Sequence, residues 1–199
     1  MRSHADDLAL LRAAAHRREW TGLQDTLKRL LARLEPLVAL GVAAGPVTAH
    51  LPRFEAYYPE AGWVRELLLT VVSYASAPRD LPLHALAQFP SPGCGNFVSA
   101  VFDLARAVQP AVSPFERYSF ATNAAANALL AALMDRYFGP RPDEWALLAD
   151  ETARQAVYGR FWLDSDVAAA DTAAWLALAD AVEAQLGNRM TPAERGLVE

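Results

Sequence analysis

The sequence contains no isoleucine, and Lys28 is its only lysine. Every other permanently positive side chain is an arginine, and alanine is abundant. A GC-rich genome explains this composition more simply than a selected arginine surface does. The bias therefore carries no evidence for a functional cationic surface.

Cysteine is almost absent as well, because Cys94 is the only one in 199 residues. A single cysteine excludes an internal disulfide and a zinc site built from several cysteines. Uncharged apolar runs are short, and none reaches the roughly 18 residues that a membrane span needs. Asp6 and Asp7 precede any apolar run, which is not typical of a signal peptide. These absences predict a cytoplasmic protein that has no membrane segment.

Charged residues make up only 21% of the chain, and their balance is acidic, with a net charge of −5. This balance argues against general nucleic-acid binding, which needs a positive surface. Residues 1–36 carry seven basic and five acidic side chains, whereas residues 143–199 carry four and eleven. The acidic carboxyl-terminal third favours a basic protein partner, and the amino-terminal helices of a second copy are one candidate.

The alternation typical of half-buried strands is missing, whereas apolar residues recur at helical spacing along the chain. The clearest helix covers residues 114–138. Ser113 and Glu116 form a capping box, Pro114 takes the first helical position, and Gly139 should end the helix in the left-handed conformation. Because this helix is apolar on nearly every face, we expect it to be central. The sequence predicts one all-α domain over 1–199, an orthogonal bundle of about seven to nine helices around residues 114–138.

Local signals also predict where other elements begin and end. The capping box Thr21–Gln24 should open a helix that Pro36 kinks or breaks. Glycines and a proline at 41–46 predict a loose connection. Residues 78–95 predict an irregular excursion, rich in proline and glycine, with one short helical turn. Asn96 is then placed to cap the next helix.

Two asparagines, Asn123 and Asn127, lie four residues apart on the predicted central helix and so share a face. Asparagine is a poor helix former, and an amide buried without a partner is costly. The pair could bind a polar ligand inside the bundle. Alternatively, the two amides hydrogen-bond to packed helices and fix their register, which is the usual role of buried polar groups.

Cys94 lies in a Pro-Gly-Cys-Gly-Asn sequence directly before a predicted helix. Flanking glycines should leave the thiol accessible, and a helix amino terminus lowers a thiol pKa. Cys94 is therefore a candidate nucleophile or redox sensor, for which His84 or His50 would have to act as the base. The alternative is an inert loop thiol, since no family signature surrounds it. We place the candidate ligand site at Cys94, His84 and the asparagine pair.

An acidic cluster lies in the carboxyl-terminal third, where carboxylates could hold Mg²⁺. The same residues also suit helix caps and first-turn acids. No Glu-x-x-His or His-x-x-x-His motif accompanies them, so we predict no metal and no cofactor. The following helix should end near Gly187. The cluster consists of Asp150, Glu151, Asp164, Asp166 and Asp171.

Two segments resemble an uncharacterised bacterial family of all-helical proteins, the YjaG-like family. They are residues 63–71, Trp-Val-Arg-Glu-Leu-Leu-Leu-Thr-Val, and the alanine-leucine rhythm of residues 121–133. The order of segments is also similar, over about a third of the chain. The resemblance implies an all-helical fold. It implies no catalytic residue, because no activity is assigned to that family.

Two functional hypotheses remain open at this point. The first is a non-enzymatic interaction or regulatory module that self-associates, because hydropathy is high and no catalytic constellation is recognisable. The second is a small-molecule-binding protein or enzyme with a pocket near Cys94, Asn123 and Asn127. A solvent-open cavity lined by either asparagine would favour the second hypothesis.

Overall fold

The computed structural model describes residues 3–73, 81–146 and 172–189, and all regular structure in these ranges is helical. The prediction of an all-α bundle is thus confirmed. The elements are α1 (His4–Arg17), α2 (Trp20–Leu31), α3 (Pro36–Tyr57), α4 (Gly62–Val72), a 3₁₀ helix (Leu83–Gln88), α5 (Cys94–Ala107), α6 (Pro114–Phe138), α7 (Pro142–Ala146) and α8 (Thr172–Arg189).

Helix α6 is central, as predicted. Its capping box forms: the Glu116 backbone N–H donates to Ser113 Oγ, and the Ser113 N–H donates to the Glu116 carboxylate. The helix packs mainly against α5 and α3 and also touches α2, α7 and α8. Its buried surface is largely alanine, which lets neighbouring helices approach closely. Only parts of it reach solvent, at Phe115 and Asn123 for example.

The start of α5 lies unusually close to α6 because of Gly93. This residue has a φ of +76°, and a Cβ built on it would lie 2.2 Å from the carbonyl oxygen of Ala131. Only glycine combines that backbone conformation with that approach. The Pro-Gly-Cys-Gly sequence therefore serves to seat the start of α5 against the α6 backbone.

The predicted loose connection at 41–46 is wrong, because these residues lie inside the 22-residue α3. Pro46 is buried there, and Gly45 makes room for α8: a Cβ on it would lie 2.6 Å from Gln185 Cγ. Burial against neighbouring helices outweighs the weak helix propensity of glycine and proline. Pro36 acts as predicted, since α2 ends before it and α3 begins with it.

Two predicted helix starts are also wrong. Helix α2 begins at Trp20, so the box Thr21–Gln24 already lies within it, and its amino-terminal cap, Glu19, makes no side-chain capping bond. Helix α5 begins at Cys94, so Asn96 lies in the first turn instead of capping it. The observed cap lies two residues before the predicted one in α2, at Glu19, and three residues before it in α5, at Gly93. The irregular excursion is confirmed over residues 81–93.

Helix α6 ends at Phe138 with Gly139 as its cap, as predicted, but Gly139 is not left-handed, and Gly187 does not end α8. Gly139 is right-handed, with φ −53° and ψ −42°, because its N–H donates to the carbonyl of Asp135 and prolongs the helical turn. Gly187 lies inside α8, which continues to Arg189. A single glycine weakens a helix by about 1 kcal/mol, which is too little to end one whose flanking residues support it.

Helix α3 is long and apolar enough, by length and composition alone, to cross a membrane, with a mean hydropathy of 1.2 over the relevant window. Half of that window is buried inside the bundle. Core helices of soluble proteins meet the same criterion, so this is weak evidence for a membrane span.

The basic amino-terminal and acidic carboxyl-terminal parts meet within one chain. Helix α1 packs against α8, and Arg12 forms ion pairs with Asp180, at 2.7 Å, and with Glu183. This charge complementarity is therefore used at least partly inside the molecule.

Candidate functional site

Asn127 has a structural partner in the neighbouring helix. Its Nδ2 donates to Asp103 Oδ2 at 3.2 Å, across the contact of α5 with α6. Asp103 is buried and also pairs with Arg106 at 3.4 Å. Burial raises the pKa of Asp103, and the Arg106 charge and the Asn127 amide partly oppose that rise. The amide thus satisfies a buried carboxyl group.

The four residues of the predicted ligand site do not come together around a cavity. Asn123 and His84 are exposed, whereas Asn127 is half-buried against Asp103. None of the four, Cys94 included, lines either of the two cavities described below.

Cys94 is fully buried, so the predicted accessible position is wrong. The start of α5 is pressed onto α6 by Gly93, and this covers the thiol. Burial raises the pKa of Cys94 to about 12, with the Asp135 carboxylate adding to the rise. The expected lowering by the helix amino terminus is therefore outweighed, and the thiolate is scarce at neutral pH.

The predicted acidic cluster lies outside the described residues. Within the residues that are described, no group of three or more histidine, cysteine, aspartate or glutamate side chains is arranged to hold a metal ion. In the same part of the chain, no hydrogen bond joins a histidine to a cysteine, serine or threonine.

A polar seam that the sequence analysis did not identify lies between α3 and the end of α6. His50, Arg53 and Tyr57 follow one another at spacings of three and four on α3, so they share one face of the helix. That face meets Asp135, one turn before the end of α6. Here two helices direct titratable side chains toward each other.

The hydrogen bonds of the seam close a ring of three groups. Arg53 Nε donates to Asp135 Oδ2 at 2.8 Å, and Tyr57 Oη donates to Asp135 Oδ1 at 2.8 Å. Arg53 Nη2 donates to Tyr57 Oη at 3.1 Å, and the guanidinium carbon lies 4.8 Å from the centre of the tyrosine ring. Burial, together with the Asp135 hydrogen bond, raises the pKa of Tyr57, so the phenol stays protonated.

A half-open cavity of about 300 Å³ adjoins the seam at Tyr57. We refer to it as the Tyr57 cavity. Three aromatic rings from separate segments line it, and Phe138 and Trp145 contact each other with ring centres 5.1 Å apart. Trp145 is held in place because its Nε1 donates to the carbonyl oxygen of Pro90. The described lining consists of Tyr57, Pro90, Ser91, Pro92, Phe138, Gly139, Pro142 and Trp145.

A second, smaller cavity of about 180 Å³ lies where α3, α6 and α8 meet, and alanines make up most of its wall. His50 lines it, but the ring atom Nε2 is itself buried and has no hydrogen-bond partner. Burial lowers the pKa of His50, opposed by the Asp135 charge. Arg136 also lies in the wall, so the described lining combines mainly apolar residues with one charged side chain and one buried polar atom.

The seam could have been found from the sequence only in part. The His50, Arg53 and Tyr57 spacing is visible once α3 is known to be continuous, but the prediction of a loose connection at 41–46 obscured it. The pairing with Asp135 depends on how α3 and α6 pack, which a single sequence does not specify. Comparisons with protein-family models, with characterised proteins and with solved structures give no match. The resemblance to the YjaG-like family therefore stays a prediction.

Proposed function

We propose that this protein is a non-enzymatic binding module that holds a small molecule in the Tyr57 cavity. The observation that carries the proposal is the cavity itself: it is half-open, about 300 Å³ in volume and walled by three aromatic rings. Sites for small molecules are typically concave, largely apolar and equipped with a few polar groups. The Tyr57 cavity has this character, with Ser91 in its wall and the polar seam beside it.

The absence of a catalytic arrangement among the described residues supports binding without chemistry. The candidate nucleophile Cys94 is buried with a raised pKa. Of its two candidate bases, His84 is exposed, and His50 forms no hydrogen bond with Cys94 among the described residues. The seam groups are engaged with one another by hydrogen bonds. A cytoplasmic location remains part of the proposal.

Protein-observed NMR with a fragment library tests the proposal. The five tryptophans give five indole N–H signals, and a Trp145→Phe variant assigns one of them to the cavity wall. Binding fragments should shift the Trp145 indole signal and the Ser91 and Gly139 amides. Trp20 packs against Trp175 with ring centres 6.2 Å apart, away from the cavity lining, and its indole signal is the matched control. Hits that shift only other signals, or no hits at all, would overturn the proposal.

Self-association is a second candidate function, and one surface residue favours it. Phe115 is 68% exposed at the start of α6, with Lys28 Nζ lying 5.2 Å from its ring centre. Five other large aromatic residues that could contribute to an oligomer contact give less support, because four are partly buried against the core and the fifth lies outside the described residues. They are Trp20, Tyr57, Tyr58, Trp63 and, outside those ranges, Trp162.

Sedimentation velocity at micromolar concentration decides this second candidate. We propose a homodimer in which Phe115 contacts the second copy, so Phe115→Ser should shift the protein toward monomer. Leu69→Ser is the matched control, since Leu69 is 55% exposed on α4 and should leave the oligomer intact. A monomeric wild-type protein would rule out the candidate.

A further inference from the structure

The guanidinium of Arg53 is held in a fixed orientation, and only one of its edges is occupied. Nε donates to Asp135 and Nη2 donates to Tyr57, so both hydrogen bonds lie along the side edge of the planar guanidinium. The end edge, formed by Nη1 and the second hydrogen of Nη2, has no acceptor within the described ranges of the chain. The side chain is 51% exposed, so a ligand can reach this edge from solvent.

This fixed guanidinium borders the Tyr57 cavity. Its carbon lies 4.8 Å from the ring centre of Tyr57, which is a wall residue. Its Nη2 also lies 3.5 Å from the position that a Cβ on Gly139, another wall residue, would occupy. The cationic group of Arg53 and the aromatic wall of the cavity are therefore neighbours through Tyr57 and Gly139.

The chemistry of the two parts selects a ligand class. The end edge of a guanidinium matches the two oxygens of a carboxylate and can bind both at once. Rings of tyrosine, phenylalanine and tryptophan favour an aromatic body in stacked or edge-on contact. Asp135 keeps the seam close to neutral, which disfavours a doubly charged phosphate, and the guanidinium disfavours a cation.

We propose that the Tyr57 cavity binds an aromatic monocarboxylate, with its ring packed against the Phe138–Trp145 pair and its carboxylate on the end edge of Arg53. This rests on the proposed small-molecule function and adds the ligand class to it. Asp135 and Tyr57 are positioning residues in this arrangement, because they orient Arg53 without contacting the carboxylate.

A matched pair of probes tests the class in the wild-type protein. 2-Naphthoate and 2-naphthamide have nearly the same shape, and only the first carries a negative charge. Calorimetric titration at low salt should show the carboxylate binding at least about tenfold more tightly, as a charge-assisted bidentate pair provides. The Arg53 Nε–H signal should shift with 2-naphthoate and stay in place with the amide.

Arginine variants then test the assignment to Arg53. Arg53→Met should abolish the preference for the carboxylate, and Arg53→Lys should restore only part of it, because an ammonium cannot bind both oxygens in one plane. Arg65→Met is the matched control: Arg65 is 54% exposed, forms an ion pair with Glu55 and lies on α4. It should keep the preference in full. Circular dichroism and thermal melts establish that each variant is folded.

The possible failures are distinguishable. Equal affinity of wild type for the two probes would overturn the ligand class and leave the cavity proposal standing. A preference that survives in folded Arg53→Met would overturn the role of Arg53. If neither probe binds and no fragment shifts the Trp145 signal, the proposed function fails as well. If Arg53→Met does not fold, the affinities of the wild-type protein for the two probes still test the ligand class, and the Arg53 Nε–H shift still tests the role of Arg53.

Discussion

Helix α6 makes two contacts that differ in kind. Toward α5 it presents buried alanines and the polar side chain of Asn127, which pairs with the buried Asp103. Toward the end of α3 it presents Asp135, whose partner Arg53 is half-exposed beside an open cavity. Helix α6 thus forms an enclosed contact with α5 and a polar, partly open contact with the end of α3.

The difference shows where polar residues serve packing and where they are free to serve recognition. An enclosed polar pair must satisfy itself, since an unpaired buried group costs free energy. A pair at the rim of a cavity keeps donors that a ligand can use, as Arg53 does. The enclosed contact should therefore control stability, and the open one should control binding.

The largest expected effect comes from Gly93→Ala at the enclosed contact. The new Cβ would overlap the Ala131 carbonyl at 2.2 Å, and the φ of +76° disfavours any side chain. We expect the free energy of unfolding to fall by about 3 kcal/mol or more, since strain and displaced backbone add. Chemical denaturation measures it.

Gly187→Ala is the control for this substitution. Gly187 lies in α8 with no atom within 4 Å of the added Cβ, so alanine should stabilise the helix by up to about 1 kcal/mol. Equal responses of the two variants would refute the close approach of Gly93 to α6.

The next effect comes from Asn127→Ala. It removes the amide that donates to Asp103, and leaving a buried carboxyl group with one partner fewer should cost about 1–3 kcal/mol. Asn123→Ala, one turn earlier on the same helix, should be neutral or slightly stabilising because Asn123 is exposed and alanine favours helix. Thermal melts compare the two, and a larger loss for Asn123→Ala would invert the distinction between enclosed and exposed positions.

Asp103→Asn should change how the free energy of unfolding depends on pH, because Asp103 titrates within the enclosed contact. Burial raises the pKa of Asp103 in the folded state, so the folded protein binds this proton more tightly than the unfolded chain, where the pKa is about 3.9. Its contribution to the free energy of unfolding therefore falls as pH rises above about 4 and through the raised pKa. Asparagine does not titrate.

The measurement is the unfolding free energy of both proteins from pH 3 to pH 7. The free energy of unfolding of the variant should increase relative to that of the wild type as pH rises. The lost Arg106 pairing adds a cost that does not change with pH. A difference that stays constant with pH would show that Asp103 is not desolvated.

The sequence predicts an element correctly where its local capping signals and its burial in the structure favour the same helix. The Ser113 box, the central α6 and the irregular residues 81–93 are confirmed because each depends on a few neighbouring residues. The predicted break at 41–46 failed because Gly45 and Pro46 are read locally as breakers, whereas α8 and α6 bury that stretch as one helix. Tertiary packing overrides propensity in such places.

The candidate site was harder to predict for the same reason. The flanking glycines predict an accessible Cys94 because glycine is flexible. In the structure, Gly93 instead allows the backbone to pack closely against α6, and Cys94 is buried. Asn127 was identified as a buried amide that needs a partner, but Asp103 as that partner follows only from how α5 faces α6. The seam combines residues from α3 and α6 that lie 78 and 82 positions apart.

The smallest expected effect on stability comes from Arg53→Met at the open contact. Arg53 is 51% exposed, whereas Asp135 is only 12% exposed. Water around the guanidinium limits the contribution of the pair to about 1 kcal/mol, and Asp135 keeps the hydrogen bond from Tyr57 when Arg53 is removed. Methionine also keeps much of the apolar stem of the arginine side chain. The loss should therefore be smaller than that of Asn127→Ala, although this same variant should abolish the preference for an aromatic carboxylate. Denaturation curves of both variants in one buffer test the order. If Arg53→Met proved the more destabilising, the seam would be a structural clamp, and the free edge of Arg53 would lose its significance as a recognition group.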